Sequence, residues 1–101
     1  MMLTIYGLKN RLSGIFEKPV CELFDSKEYP EMLTQSLALA PVEVLERHRE
    51  YDVYCLGCFE SKTGKITAIE PEFLMSLEGI CTQYIEHKNN VGRKEEQVAS
   101  V

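Results

Sequence analysis

Two runs at the start of the chain, LTIYGL (3–8) and GIFEKPV (14–20), carry the short alternating pattern of strands. Between them, KNRLSG offers Asn10, Ser13 and Gly14, residues suited to a loose hairpin loop. Pro19 has no N–H to give a ladder, so the second run belongs at a sheet edge or ends there. The period then changes. Over 25–40, Met32, Leu33, Ser36, Leu37 and Ala40 fall on one helical face. Asp25 or Ser26 can cap this helix, Glu28 completes a capping box, and Pro30 fits its first turn. Pro41 interrupts the pattern, and 41–50 reads either as a short helical turn or as an irregular connector.

Residues 51–60 alternate again, and SKTG (61–64) has the composition of a type I turn followed by a positive-φ glycine. KITAIE (65–70) supplies the returning strand. The segment PEFLMSLEGICTQYIEHKN then predicts an amphipathic helix opened by Pro71 and closed near Asn89. Phe73, Leu74, Leu77, Ile80, Cys81, Tyr84 and Ile85 form its apolar stripe. The order is β-β-α-β-β-α. It predicts one α+β domain over 1–88, a four-stranded, mostly antiparallel sheet with helices on one face. Residues 89–101 hold too little apolar content to fold alone and are expected to form a flexible tail.

Composition narrows the class. A chain of 101 residues, 45% hydrophobic and 27% charged, can bury one modest core. No apolar run approaches the roughly 20 residues that cross a bilayer, so no membrane partner is expected. MMLTIYGLKNR lacks the basic-then-apolar order of a secretory leader, which predicts a cytoplasmic protein with reduced thiols. The net charge of -5 weighs against nucleic acid, but it is unevenly spread. Residues 1–20 set Lys9, Arg11 and Lys18 against Glu17, a local +2, whereas 21–60 carry nine acids and three bases, a local -6.

Cys55-Leu-Gly-Cys58 raises the question of a metal or redox site. In a regular strand, positions three apart point to opposite faces, so the two thiols should diverge unless Gly57 hosts a bulge. Cys21 and Cys81 stand alone, and neither His48 nor His87 lies at finger spacing from another ligand. FESKTG, not a helix N-terminus, follows the pair, which removes the usual cause of a lowered thiol pKa. The cysteines read as strand residues, with no metal or cofactor expected. GLKNRLSG lacks the P-loop ending, and no serine has a nucleophile-elbow context. His48 reads as a solvated residue of a charged connector, and His87 suits a helix C-terminus. No enzyme is expected.

The surface with binding potential is the sheet face that helices leave open. Tyr6, Phe16 and Tyr54 there, edged by Lys9, Arg11 and Lys18, would make a stacking platform for single-stranded nucleic acid. Tyr54 alternates away from Tyr51 and Phe59. The competing reading places these aromatics in the core or in a homodimer interface.

EYDVYCLGCFESKTG (50–64) resembles, without a gap, a pattern of the small nonstructural protein of gokushovirus-type microviruses, phages with circular single-stranded DNA genomes. Glu50, Tyr51, Val53, Tyr54, Leu56, Gly57, Phe59, Glu60, Thr63 and Gly64 occupy the pattern's positions. IYGLKNRLSGIFEKPV resembles the family's opening, with Tyr6 early and Phe16 and Pro19 after it. The likeness covers about a third of the chain. Glu50 and Glu60 stand where the family favours Asp, KNR replaces an Asp-containing turn, and the C-terminal helix and tail are longer. Neither Cys55 nor Cys58 falls on a defining position. The resemblance implies a non-enzymatic accessory protein of the host bacterial cytoplasm, absent from the mature capsid and described as DNA-binding in single-stranded DNA synthesis or packaging. The other expectation is a dimerising adaptor that contacts replication or assembly proteins without binding DNA.

Overall fold

A computed structural model describes residues 1–23 and 28–99, with side chains described as far as residue 90. The elements are β1 (Met2–Asn10), β2 (Val20–Glu22), α1 (Glu28–Ala38), α2 (Val42–His48), β3 (Tyr51–Glu60), β4 (Ile66–Ser76) and α3 (Glu78–Ala99). The strands form one antiparallel sheet in the order β2-β1-β3-β4, an α+β fold as the pattern predicts. The helices cover one face. Tyr6 from β1 and Val53 from β3 meet Tyr29 and Leu37 of α1, Leu45 of α2, and Leu77, Cys81 and Ile85 at and along α3. Five of these side chains, Tyr6, Leu45, Val53, Leu77 and Cys81, are almost wholly enclosed. Each contributes about 1.5–3 kcal/mol of transfer free energy on burial if aliphatic or aromatic.

Three elements depart from expectation. The strand expected over 14–20 is β2 at Val20–Glu22, and Phe16 makes a lone bridge to Lys9. The preceding residues are held instead by a tight turn. Asn10 Oδ1 accepts the Leu12 and Ser13 amides at 2.8 and 3.1 Å, and Gly14 takes φ +73°. A positive φ and the missing Pro19 donor keep that stretch out of the ladder.

The second departure is larger. The segment from Pro71 continues as β4 to Ser76, so Phe73 and Leu74 are strand residues. Pro71 is tolerated because β4 is an edge strand and the ladder is irregular there: Cys55 pairs with Glu72, but Gly57 pairs with Ala68. The helix begins at Glu78, whose amide is accepted by Ser76 Oγ at 3.3 Å. Its stripe survives from Leu77 onward, with Leu77, Cys81 and Ile85 buried. The third departure is its end, which runs past Asn89 to Ala99.

The ambiguous stretch 41–50 resolves as α2, with Pro41 immediately before its first residue. Asp25 and Ser26, the expected caps for α1, lie outside the described residues. The hairpin turn is as its composition predicts. Gly64 has φ +75°, and its amide donates to the Glu60 carbonyl at 2.8 Å.

Candidate binding face

Register decides which residues reach the open face. On β1, Tyr6 points into the helical core, so Ile5, Gly7 and Lys9 point away from it. Tyr54 lies opposite Gly7 and Phe73 lies opposite Tyr54, which puts both aromatics on the open side. Phe16, carried beside Lys9 by its bridge, joins them.

Gly7 makes this assembly fit. A Cβ there would lie 2.7 Å from Leu56 Cδ1 and 3.2 Å from Phe16 Cδ1, so the absent side chain is the space that Leu56 and Phe16 use. Phe16 and Tyr54 meet edge to face with ring centroids 5.4 Å apart, and Tyr54 and Phe73 do the same at 5.8 Å. Lys9 Nζ sits 5.6 Å from the Phe16 centroid and 5.7 Å from that of Tyr54. Such a cation over ring faces is favourable by about 0.5–1 kcal/mol where water remains. The edge-to-face pairs add about 0.5–1.5 kcal/mol each. Phe73 remains 55% exposed and forms the open end of the cluster.

The bulge at Leu56-Gly57 extends the face. Tyr6 pairs with Cys55 and Ile5 with Gly57, leaving Leu56 as an extra residue in β3. Gly57 takes φ +148°, and a Cβ there would collide with the Thr67 carbonyl oxygen. From this point the alternation of β3 is inverted. Phe59, opposite Leu3 and Ile66, therefore shares the face of Tyr54, contrary to uninterrupted alternation. The same inversion sets Cys58 opposite Thr4 while Cys55 is opposite Tyr6, so both thiols lie on the helix side. They do not diverge as a regular strand requires. Among the described residues, no group of three or more His, Cys, Asp or Glu side chains is placed to hold a metal ion.

The residues expected to meet nucleic acid separate into four sets. Lys9, Phe16 and Tyr54 come together, with Phe73 added. Tyr6 does not join them. It is 1% exposed and stacks on Tyr29 at 4.0 Å with the rings 15° apart, so it cannot stack a base. Arg11 is engaged within the fold. Its Nη1 donates to Asp52 Oδ1 at 2.7 Å, Ser76 Oγ at 2.9 Å and the Tyr51 carbonyl at 3.4 Å. Its Nη2 donates to the Arg49 carbonyl and lies 3.5 Å from Glu78 Oε2. This guanidinium ties the first loop to the start of β3 and to the β4–α3 junction. Lys18 is exposed on the connector leading to β2.

The hairpin-motif residues play several parts. Tyr51 donates its hydroxyl to Glu17 Oε1 at 2.6 Å, and that bond raises its pKa above the ordinary tyrosine value. Thr63 Oγ1 accepts the Lys65 amide at 3.3 Å within the turn. His48 Nδ1 lies 2.8 Å from the Val44 carbonyl in its own helix. Phe73 escapes sequence reasoning because Pro71 reads as a helix start. Its alternation with Met75 is broken by an interposed bulge and offers no clear strand signal.

No family model, no curated protein and no solved structure matches the chain. Among the described residues, no helix is long and apolar enough to cross a membrane.

Proposed function

We propose that the protein is a non-enzymatic accessory of a small single-stranded DNA phage, and that it binds single-stranded DNA on its open sheet face in the host bacterial cytoplasm. One observation carries this reading: Lys9 lies over Phe16 and Tyr54 beside the exposed Phe73. Bases stack on such rings whatever their sequence, at about 1–3 kcal/mol each, and a neighbouring ammonium meets the phosphate. The role in viral DNA synthesis or packaging follows the hairpin resemblance. Phosphate contact falls to Lys9 and Lys18, with Arg11 committed elsewhere.

The experiment is anisotropy of a labelled oligonucleotide, titrated at low and moderate salt with the parent, Lys9→Glu/Lys18→Glu and Phe73→Ala. Binding that weakens with salt and is lost in the charge variant supports the proposal. Parent protein that leaves the oligonucleotide free at low salt sinks it. A second reading has its own support. Leu3, Ile5, Leu56, Phe59 and Ile66 continue the face away from Lys9 as an apolar surface, which suits a protein partner, such as a replication or assembly protein, better than phosphate.

A further inference from the structure

The apolar part of the open face has relief that fits a copy of itself. Leu3, Phe59 and Ile66 stand in one row across three strands. The next row, Ile5, Gly57 and Ala68, is low on β3 and β4, because Gly57 has no side chain and Ala68 ends at Cβ. Beyond it the surface rises again where Leu56 lies over Gly7 beside Tyr54 and Phe73. Successive rows are about 6.7 Å apart, two residues of strand rise. A two-fold axis perpendicular to the strands, between the low row and the Tyr54–Phe73 row, places the aromatic ridge of each copy in the trough of the other. Self-complementarity under a two-fold is what an isologous interface requires.

Charge and area favour the same occupant. Lys9 and Asp52, paired in register, form the row beyond Tyr54 and Phe73, and the same axis lays the Leu3, Phe59 and Ile66 row of one copy over these two opposite charges of the other. Glu22, opposite Thr4, and Glu72, opposite Cys55, belong to the helix side. Two chains of charge -5 can therefore meet here without bringing those carboxylates together. Three long strands about 4.8 Å apart and roughly ten residues long present about 14 by 33 Å, on the order of 470 Å² before side-chain relief. Relief and the adjoining Phe16 loop bring this toward the roughly 800 Å² that each partner gives a standard interface. We propose that the protein is a homodimer whose two sheets pack face to face through these rows. The dimer depends on the apolar rows and not on DNA binding. Because the interface covers Tyr54 and Phe73, self-association and oligonucleotide binding exclude each other.

The test uses no nucleic acid, so its result is independent of the DNA reading. Sedimentation equilibrium over about 1–100 µM, a range suited to an interface of this size, compares the parent with three lysine variants. Ile66→Lys and Ala68→Lys change exposed positions on the face, while Leu39→Lys changes an 88% exposed position just after α1. The parent and Leu39→Lys should dimerise in this range, and either face variant should raise the dimer Kd about tenfold or more. Cys21, opposite Ile5 and exposed in the isolated chain, supplies a readout that needs no variant. Its alkylation should slow as parent concentration rises, whereas that of Cys58, on the other face, should not. A parent that stays monomeric overturns the proposal, as does a dimer that tolerates both face variants or leaves Cys21 equally reactive at every concentration.

Discussion

Replacing Arg11 by alanine should cost the fold heavily and leave oligonucleotide affinity intact. The cause is local. Arg11 Nη1 reaches Asp52 Oδ1 at 2.7 Å, and Asp52 is only 9% exposed. Removing the guanidinium leaves that carboxylate enclosed without its cation. The Arg49 carbonyl and the Ser76 hydroxyl lose the same donor group. A fully buried pair broken in this way costs about 3–5 kcal/mol. The Arg11 side chain is 31% exposed, so water recovers part of the loss, and charge-assisted bonds of about 1.5–3 kcal/mol set the scale. An expected cost of about 2–3 kcal/mol is a large fraction of the roughly 5–15 kcal/mol available to a typical domain. It lowers the melting temperature by roughly 10–20 °C for a chain near 100 residues. Arg11→Lys should recover less than half, because one ammonium cannot span the fork that links Asp52 and the Arg49 carbonyl. Arg11→Ala/Asp52→Ala should be less damaging than the sum of its parts, since the orphaned charge is gone. Calorimetry measures the first effect, and anisotropy well below the melting temperature measures the second. Since each kcal/mol shifts the melting temperature of a domain this size by roughly 4–8 °C, an Arg11→Ala protein that melts within about 2 °C of the parent refutes the bracing role. One that is fully folded yet fails to bind the oligonucleotide returns Arg11 to the phosphate contacts.

Three other outcomes follow from single positions. Gly57→Ala forces a side chain onto φ +148° and against the Thr67 carbonyl, and should cost about 2–4 kcal/mol in chemical denaturation, whereas Gly14→Ala, open on all sides, should cost only its positive φ, about 1 kcal/mol. Burial pushes the Cys81 thiol pKa up, so native-state alkylation near pH 8 followed by mass spectrometry should modify exposed Cys21 well before Cys81; equal rates would contradict the enclosed position. The Lys62 amide and the chain's first amine hold the Glu60 carboxyl below its usual pKa. A depressed folded pKa gives stability that is present above the unfolded value and lost as pH falls through the folded one. The hairpin turn should therefore loosen in acid, and Glu60→Gln should remove that part of the pH dependence from amide exchange at Lys62.

The sequence was most informative where one local rule decided the outcome. SKTG and its glycine define the β3–β4 turn, and the Leu77, Cys81, Ile85 spacing defines the buried side of α3. It was least informative where two rules competed. Pro71 followed by Glu72 satisfies the signal for a helix start, but an irregular edge strand accepts the same proline, and the cap comes from Ser76. Tyr6 and Tyr54 illustrate a different limit. Each alternates correctly within its own strand, but whether they share a face depends on register, and register is set by long-range pairing. The pairing of Gly7 with Tyr54 puts the two tyrosines on opposite sides. Arg11 shows a third. A cation in a loop offers the same one-letter evidence whether it meets phosphate or a carboxylate forty-one residues away.

At the Leu56-Gly57 bulge, one extra residue changes which chemistry each face carries. Were Leu56 paired in a regular ladder instead, Cys58 would share the open face with Tyr54, and Phe59 would turn toward the helices. With the bulge, the open face gains Phe59 beside Leu3 and Ile66, and the two thiols withdraw to the other side. A metal reading of Cys55-x-x-Cys58 and an apolar reading of the open face are therefore not independent. The same inversion that brings the thiols to one side also completes the apolar rows. Deleting Leu56 tests this directly. The shortened strand should run regularly from Cys55 to Gly57, keep Cys58 opposite Thr4 on the helix side, and keep Phe59 in its row with Leu3 and Ile66. If the deletion variant folds, Cys58 should stay as insensitive to self-association as in the parent while Cys21 stays sensitive. A folded variant in which Cys58 becomes sensitive to self-association would show that Leu56 is not the residue the ladder leaves out.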